Sequence, residues 1–231
     1  MDMACNEALV NGRLPTARGE LAERGYRFAD RYVLADGCRS HAHLFAFRSG
    51  RFVQIVFRNL RKPVKLHRVE FRLCTYPVKL WGRFSCEDLD LDRLYQAGRR
   101  TLQLCMADTY MDCPWREQAM WVGDLFAEML FDHLTYGDAR LARQCLEMAA
   151  HGMTSRGLLR SVYPSEAENV IPSFSLLWVM GLENYVRYTG DASVLAPCWE
   201  AVERVLAAFD SWRTESGLLH EIEGLWHFYD W

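Results

Sequence analysis

A gapless internal repeat limits what this chain can fold into more than any other feature of its sequence. The segment GDARLARQCLEM at 137–148 returns as GDASVLAPCWEA at 190–201, at an offset of 53 residues. Downstream of each copy, RGLLR at 156–160 recurs as SGLLH at 216–220. A helical unit of this kind buries its apolar face only against a stacked neighbour. The repeat therefore predicts helical hairpins in series, arranged as an open solenoid or as a closed α/α toroid.

The spacing of apolar residues predicts where the helices lie. From Leu91 onward, small or apolar residues recur with the period of one helix face, and Asp88 or Asp90 is placed to cap that helix. The positions are 91, 94, 95, 98, 102 and 105. Further helices are predicted at about 115–135, 139–152, 172–188 and 194–212. We place a domain boundary near Cys86, where the period changes.

The residues before this boundary have the alternation of β-strands. Between 43 and 84 the runs HLFAFRS and RFVQIVFR alternate, and Val69, Phe71 and Leu73 are interleaved with charged residues. This pattern predicts a half-buried antiparallel sheet. The chain is therefore expected to be multidomain, β then α, with domains at 1–85 and 86–231.

The charge balance excludes several classes of partner. The 27 Lys and Arg are interspersed with 30 Asp and Glu, for a net charge of −3. Such a surface offers no basic face to a nucleic acid or to an anionic membrane. No segment reaches the ~20 apolar residues of a membrane span. A neutral or small-molecule substrate is the favoured partner.

The cysteines and histidines do not predict a metal site. The eight cysteines show no CxxC pair, and His41 and His43 share one strand face without a third ligand. We therefore predict no metal and no cofactor, and we expect buried thiols in a reducing compartment. The start of the sequence lacks the pattern of a signal peptide, so a cytoplasmic location is expected rather than secretion.

The segment 108–128 carries the candidate chemistry. We predict a helix start at about Trp115, directly after Pro114. On this helix Glu117, Trp121, Asp124 and Glu128 would share one face, with carboxylates on both sides of an indole. Aromatic rings and carboxylates together are typical of a sugar site. The alternative is the solvated acidic face of an ordinary amphipathic helix.

Residues 112–118, DCPWREQ, followed by Trp121 and by Gly123-Asp124, resemble the signature of the bacterial α-L-rhamnosidase six-hairpin glycosidase family. The common family form has Arg-Asp-Glu where this chain has Arg116-Glu117. The resemblance implies that Glu117 is the catalytic general acid. It also implies a sugar-binding role for Asp112, Arg116, Trp121 and Asp124, and, from the similarity of HFYDW at 227–231 to a family Phe-x-Asp-Trp element, for Asp230 and Trp231.

The same resemblance implies a fold and an activity. The expected fold is the end of a β-sandwich followed by an incomplete (α/α)6 toroid of helical hairpins. Closing such a toroid takes twelve helices, and because about five are predicted here, we expect a partial chain that could lack activity by itself. The implied reaction is removal of terminal α-L-rhamnose from glycosides or polysaccharides with inversion, the base coming from a later helix.

Two other functions remain open from the residues alone. One is another (α/α)6 glycosidase, and the other is a non-catalytic helical-repeat fragment that binds a glycan or a protein. The sequence does not predict the oligomeric state.

Overall fold

A computed structural model describes residues 1–14, 29–42 and 47–229 of the chain. The chain forms two compact units. The first contains Met1–Cys74 together with Cys113–Glu117, and the second contains Thr75–Asp112 together with Gln118–Trp231. A small sheet thus precedes a helical unit along the sequence.

The described residues of the first unit form a three-stranded antiparallel sheet. Its strands are β1 (Asp2–Asn6), β2 (Ala29–Arg31) and β3 (Phe52–Val56), and β1 lies in the centre. Asp2 pairs with Arg31 in the register of β1 and β2, and its carboxylate lies 2.8 Å from Arg31 Nε and 2.9 Å from Arg58 Nε. The hydrogen bond from Arg31 lowers the pKa of Asp2.

The predicted sheet is confirmed at β3 and is wrong further along the chain. Residues 43–46 of the predicted strands lie outside the described residues. Val69, Phe71 and Leu73 belong to no strand, and all three side chains are exposed. Alternation gives a segment one apolar face, but a strand also needs a neighbour that takes up its backbone hydrogen bonds, and the described part of the chain provides none at this segment.

Up to residue 229, the second unit contains five α-helices. They are α1 (Leu89–Cys105), α2 (Val122–Thr135), α3 (Ala139–Ala150), α4 (Pro172–Thr189) and α5 (Leu195–Ser211), and a short 3₁₀ turn (Ala192–Val194) precedes α5. The predicted helices at 139–152, 172–188 and 194–212 are confirmed. Asp88 caps α1 as expected, because its Oδ1 accepts a hydrogen bond from the backbone N–H of Asp90 at 2.9 Å.

The sequence repeat corresponds to two helical hairpins, α2–α3 and α4–α5. In each hairpin a glycine with positive φ ends the first helix, Gly137 at +66° and Gly190 at +71°. The aspartate that follows caps the next helical segment through its side chain, so that Asp138 accepts from Arg140 N and Asp191 from Ser193 N. The predicted series of hairpins is therefore confirmed for these two copies.

The Gly-Leu-Leu exits of the two copies have the same local structure and different burial. Leu159 pairs with Met153 in a short β-bridge, and Leu219 pairs with Arg213 at the equivalent positions. Leu159 is 1% exposed because helices of the unit cover it, whereas Leu219 is 51% exposed. Local sequence sets the turn, and the neighbouring helices decide whether its leucines are buried.

A buried Tyr–Asp pair joins the loop before the site to α2. The side chains of Tyr110 and Asp132 are both fully buried, and the Tyr110 hydroxyl donates to Asp132 Oδ2. Asp132 Oδ1 is also buried and has no hydrogen-bond partner among the described residues. Burial raises the pKa of Asp132 to about 6, against the lowering effect of the Tyr110 hydrogen bond. The hydroxyl of Tyr110 is thus the donor that stabilises this carboxylate.

We expect Tyr110→Phe to lower the free energy of unfolding at pH 7 by about 3 kcal/mol, because it leaves a buried carboxylate without its donor. Urea denaturation followed by circular dichroism measures the change. Tyr188→Phe is the matched control, since Tyr188 is 47% exposed. Equal stabilities of the two variants would contradict the role assigned to the Tyr110 hydroxyl.

Candidate active site

The segment that carries the candidate chemistry is a loop followed by a helix. The helix α2 begins at Val122, with Trp121 in the N-cap position, so the predicted helix start at Trp115 is wrong. Gln118 has a φ of +54°, and a right-handed helix cannot continue through a residue in that conformation. The backbone N–H of Val122 instead donates to Ser161 O at 2.8 Å, which fixes the entry to α2.

The start of α2 at Val122 changes which of the predicted residues share a helix face. Glu117 and Trp121 precede α2, so the predicted face of four side chains does not exist. Asp124 and Glu128 both lie on α2, one turn apart, and their side chains are on the same face. The acidic pair of this helix is therefore Asp124 and Glu128.

Asp112 closes the loop that precedes α2. Its backbone N–H donates to Ala119 O at 3.0 Å, and its Oδ1 accepts from Ala119 N at 3.0 Å. A side-chain acceptor that bonds a backbone N–H seven residues away holds both ends of a loop together. Asp112 thereby has a fixed position in the second unit.

Arg116 and Glu117 lie between Asp112 and Ala119 in the sequence and belong to the first unit. Both residues are exposed, and the backbone N–H of Glu117 donates to Cys113 Sγ at 3.4 Å. Within the same unit, Trp115 Nε1 donates to the carbonyl O of Cys5 at 3.2 Å, which attaches this part of the loop to the central strand β1.

A group of three carboxyl groups forms in the second unit. Burial, and to a smaller extent the negative charges of Asp124 and Asp112, raise the pKa of Glu128 to about 9. Glu128 is therefore uncharged at neutral pH, while two predicted sugar-binding residues lie near it. Glu128 was expected on the acidic face of the predicted helix but not in the site, and its i+4 spacing from Asp124 is the signal that could have assigned it there.

An aromatic cluster surrounds the start of α2. The ring of Trp121 lies edge-to-face against Phe174 at 6.2 Å and against Trp226 at 6.4 Å between centroids. A Cβ atom at Gly123 would lie 2.5 Å from the Phe174 ring, so a larger residue at that position of the motif would require this ring to shift. Trp226 was not recognised from the sequence, because its partner Trp121 is far away along the chain.

Some of the predicted residues are not among those that the structure describes. Asp230 and Trp231 lie outside the described residues, as does His43. Within 1–14, 29–42 and 47–229, no group of three or more His, Cys, Asp or Glu side chains could hold a metal ion. No helix in those ranges is long and apolar enough to cross a membrane.

The expectation of buried thiols is confirmed at some positions and wrong at others. Cys5, Cys145 and Cys198 are buried, and burial raises the pKa of Cys145 to about 12 and that of Cys198 to about 11. Cys38, Cys74 and Cys86 are exposed. The buried cysteines lie where helices or strands pack, and the exposed ones lie in irregular segments, whose burial a sequence pattern does not set.

Solved structures of rhamnosidases resemble this chain. A GH78 family rhamnosidase of Bacillus sp. GL1 has 30% sequence identity and a TM-score of 0.88 over 100% of this chain and 23% of its own. A rhamnosidase from Klebsiella oxytoca, solved with rhamnose bound, has 25% identity and a TM-score of 0.57 over 62% of this chain and 29% of its own.

An α-L-rhamnosidase from Aspergillus terreus, at 19% identity, shares the fold with a TM-score of 0.68 over 95% of this chain and 26% of its own. The chain thus spans less than a third of the length of each of these three proteins. A search of curated proteins finds no significant match.

The helical unit also matches a protein family. The sequence model of the bacterial alpha-L-rhamnosidase 6 hairpin glycosidase domain matches residues 79–231, which is more than half of the chain and includes the 112–124 motif and both hairpins. The chain therefore belongs to the bacterial α-L-rhamnosidase six-hairpin glycosidase family.

Proposed function

We propose that this chain carries part of the active site of a glycoside hydrolase that removes terminal α-L-rhamnose from glycosides or polysaccharides. The observation that carries the proposal is the 112–124 motif, which lies within the family match and in which Asp124 stands one helix turn before Glu128. The Klebsiella oxytoca rhamnosidase, which was solved with rhamnose bound, supports the choice of sugar.

In the proposed mechanism Glu117 is the general acid of an inverting hydrolysis. An inverting enzyme needs a protonated carboxyl beside the leaving oxygen and a carboxylate on the opposite face of the sugar, roughly 6.5–9.5 Å away, that activates water. Glu117 would donate its proton to the glycosidic oxygen as the bond to the anomeric carbon breaks. We assign no base to a carboxylate of this chain.

The other residues of the motif would bind the sugar. Carboxylates of Asp112 and Asp124 are acceptors for sugar hydroxyls, and Arg116 is a donor. Trp121 would cover an apolar face of the ring. By the family resemblance we also propose Asp230 and Trp231 as residues of the pocket, although they lie outside the described residues.

We also make proposals about the domain organisation of the protein and its cellular compartment. We propose that 86–231 is the N-terminal part of an (α/α)6 toroid and that 1–85 is the end of a β-sandwich. We also propose a reducing, cytoplasmic location, because Cys5, Cys145 and Cys198 are buried thiols. The partner is a carbohydrate.

A panel of nitrophenyl glycosides tests the proposed activity in a protein that contains this chain and the rest of the proposed toroid, which is the wild type of every activity and binding experiment below. We expect release of nitrophenol from the α-L-rhamnoside and little or none from α-L-arabinofuranoside, α-L-fucoside or β-D-glucoside. Proton NMR during turnover should show β-L-rhamnose as the first product, which identifies inversion. Hydrolysis of another glycoside with none of the rhamnoside would instead identify a different (α/α)6 glycosidase, and sugar binding without hydrolysis would identify a non-catalytic module.

A further inference from the structure

The segment that carries Trp226 is fixed to the start of α4. The backbone N–H of Trp226 donates to Val170 O at 3.3 Å, and Ser173 Oγ donates to Phe228 O at 3.3 Å. His227 closes the preceding turn, since its Nε2 lies 2.9 Å from the carbonyl O of Ile222. The position of the Trp226 side chain is therefore set by its backbone and by the residues around it.

The indole of Trp226 packs against the rings of Trp121 and Phe228, and we call these three side chains the aromatic corner. It meets Trp121 at an interplanar angle of 77° and Phe228 at a centroid distance of 5.2 Å. Phe228 packs against the hydrophobic core. Trp226 itself remains 48% exposed, although two aromatic neighbours support it.

This corner lies at the end of α2 that carries the site residues. Trp121 is the N-cap residue of α2, and Asp124 lies in the first turn of the same helix. An indole that contacts Trp121 is therefore at the same helix end as a carboxylate proposed to bind sugar hydroxyls. Small-molecule sites combine apolar aromatic walls with a few polar groups in this way.

The ring faces of an indole are apolar, and a hydroxyl group placed against them would lose hydrogen bonds to water. Rhamnose is a 6-deoxy sugar, so one edge carries a methyl group and ring C–H groups with no hydroxyl at C6. That edge loses no hydrogen bond on contact with an indole and removes apolar area from water.

We propose that Trp226 forms an aromatic wall of the sugar site and contacts the C6 methyl edge of terminal rhamnose. This inference rests on the proposed function and adds a substrate contact and a basis for specificity. Trp226 acts by contact with the sugar, as is proposed for Trp121, and its contacts with Trp121 and Phe228 hold its ring in place.

L-Lyxose tests the contact, because it is L-rhamnose without the C6 methyl group. Isothermal titration of the wild-type protein should give a Kd for L-lyxose about fourfold above that for L-rhamnose. This ratio corresponds to the free energy of burying one methyl group. In Trp226→Ala the Kd for L-rhamnose should rise about tenfold. The ratio between the two sugars should then fall to about one.

Trp199→Ala is the matched control. Trp199 is 52% exposed on α5, where its Nε1 donates to Glu203, so its removal should leave both dissociation constants unchanged. Wild-type binding of L-rhamnose together with equal constants for Trp226→Ala and Trp199→Ala would overturn the inference while the proposed function stands. A wild-type protein that neither binds nor hydrolyses a rhamnoside would overturn the proposed function and the inference with it.

A second measurement covers the case in which Trp226→Ala does not fold. Trp226→Phe keeps an aromatic side chain, and its folding is checked by circular dichroism. Titration with L-rhamnose should change the tryptophan emission of the wild-type protein by more than twice the change in Trp226→Phe. Equal emission changes in the two proteins would refute the contact.

Discussion

Glu117→Gln should reduce kcat for an alkyl α-L-rhamnoside about a thousandfold, because general acid catalysis contributes roughly 10²–10⁴-fold to such a reaction. Glutamine has nearly the same size as glutamic acid but has no proton to donate to the leaving oxygen. The KM should change little, since sugar binding is assigned to other side chains of the motif. Steady-state kinetics of rhamnose release measures both constants.

The leaving group provides an internal check on this role. A dinitrophenolate leaves without protonation, so Glu117→Gln should retain most of its activity on a dinitrophenyl rhamnoside while it loses activity on the alkyl rhamnoside. Glu200→Gln is the matched control, because Glu200 is exposed on α5. An equal loss on both substrates would show that Glu117 does not act as the acid.

Glu128→Gln should make the protein more stable than the wild type, by an amount that grows as the pH rises. Burial and the neighbouring Asp124 and Asp112 raise the pKa of Glu128 from an ordinary 4.5 to about 9 in the folded protein. Between these two values the unfolded chain has lost the proton and the folded chain retains it. Each rise of one pH unit in that window therefore lowers the free energy of unfolding of the wild type by about 1.4 kcal/mol.

Glutamine resembles the protonated carboxyl and does not titrate, so this pH dependence disappears in the variant. The difference in the free energy of unfolding should be small near pH 5 and reach several kcal/mol by pH 9. Guanidinium denaturation at pH 5, 7 and 9 measures it, with Glu200→Gln as the exposed control. A difference that stays constant from pH 5 to pH 9 would show that Glu128 is ionised in the folded protein.

The sequence predictions were correct where a structural feature depends on residues that are neighbours in the chain. The start of α1 was predicted because Asp88 is two residues from the backbone N–H that it caps. The hairpin turns were predicted because Gly137 and Asp138, like Gly190 and Asp191, act on their immediate neighbours. Such signals need no tertiary structure.

Errors occurred where a distant contact overrode the local pattern. Pro114 and the following residues have the features of a helix start, but the loop held by Asp112 and the positive φ of Gln118 delay the helix to Val122. Likewise, alternation at 69–73 indicated a strand, although a strand requires a partner as well as an alternating face.

In the candidate site, too, local features could be predicted and features that depend on distant contacts could not. Its motif could be recognised from the sequence, because residue types and spacing alone carry the family signature. The uncharged state of Glu128 and the contact between Trp121 and Trp226 could not, since both result from burial by segments far apart along the chain.

By itself, the sequence determined the hairpin repeat, the helix caps and the family of this protein, because these depend on side chains within a few residues of one another. Only the tertiary structure decided where α2 begins, which carboxyl group is protonated and which indoles meet. Packing brings together residues that the chain separates, and the free energy of burying a charge or an aromatic ring depends on those neighbours.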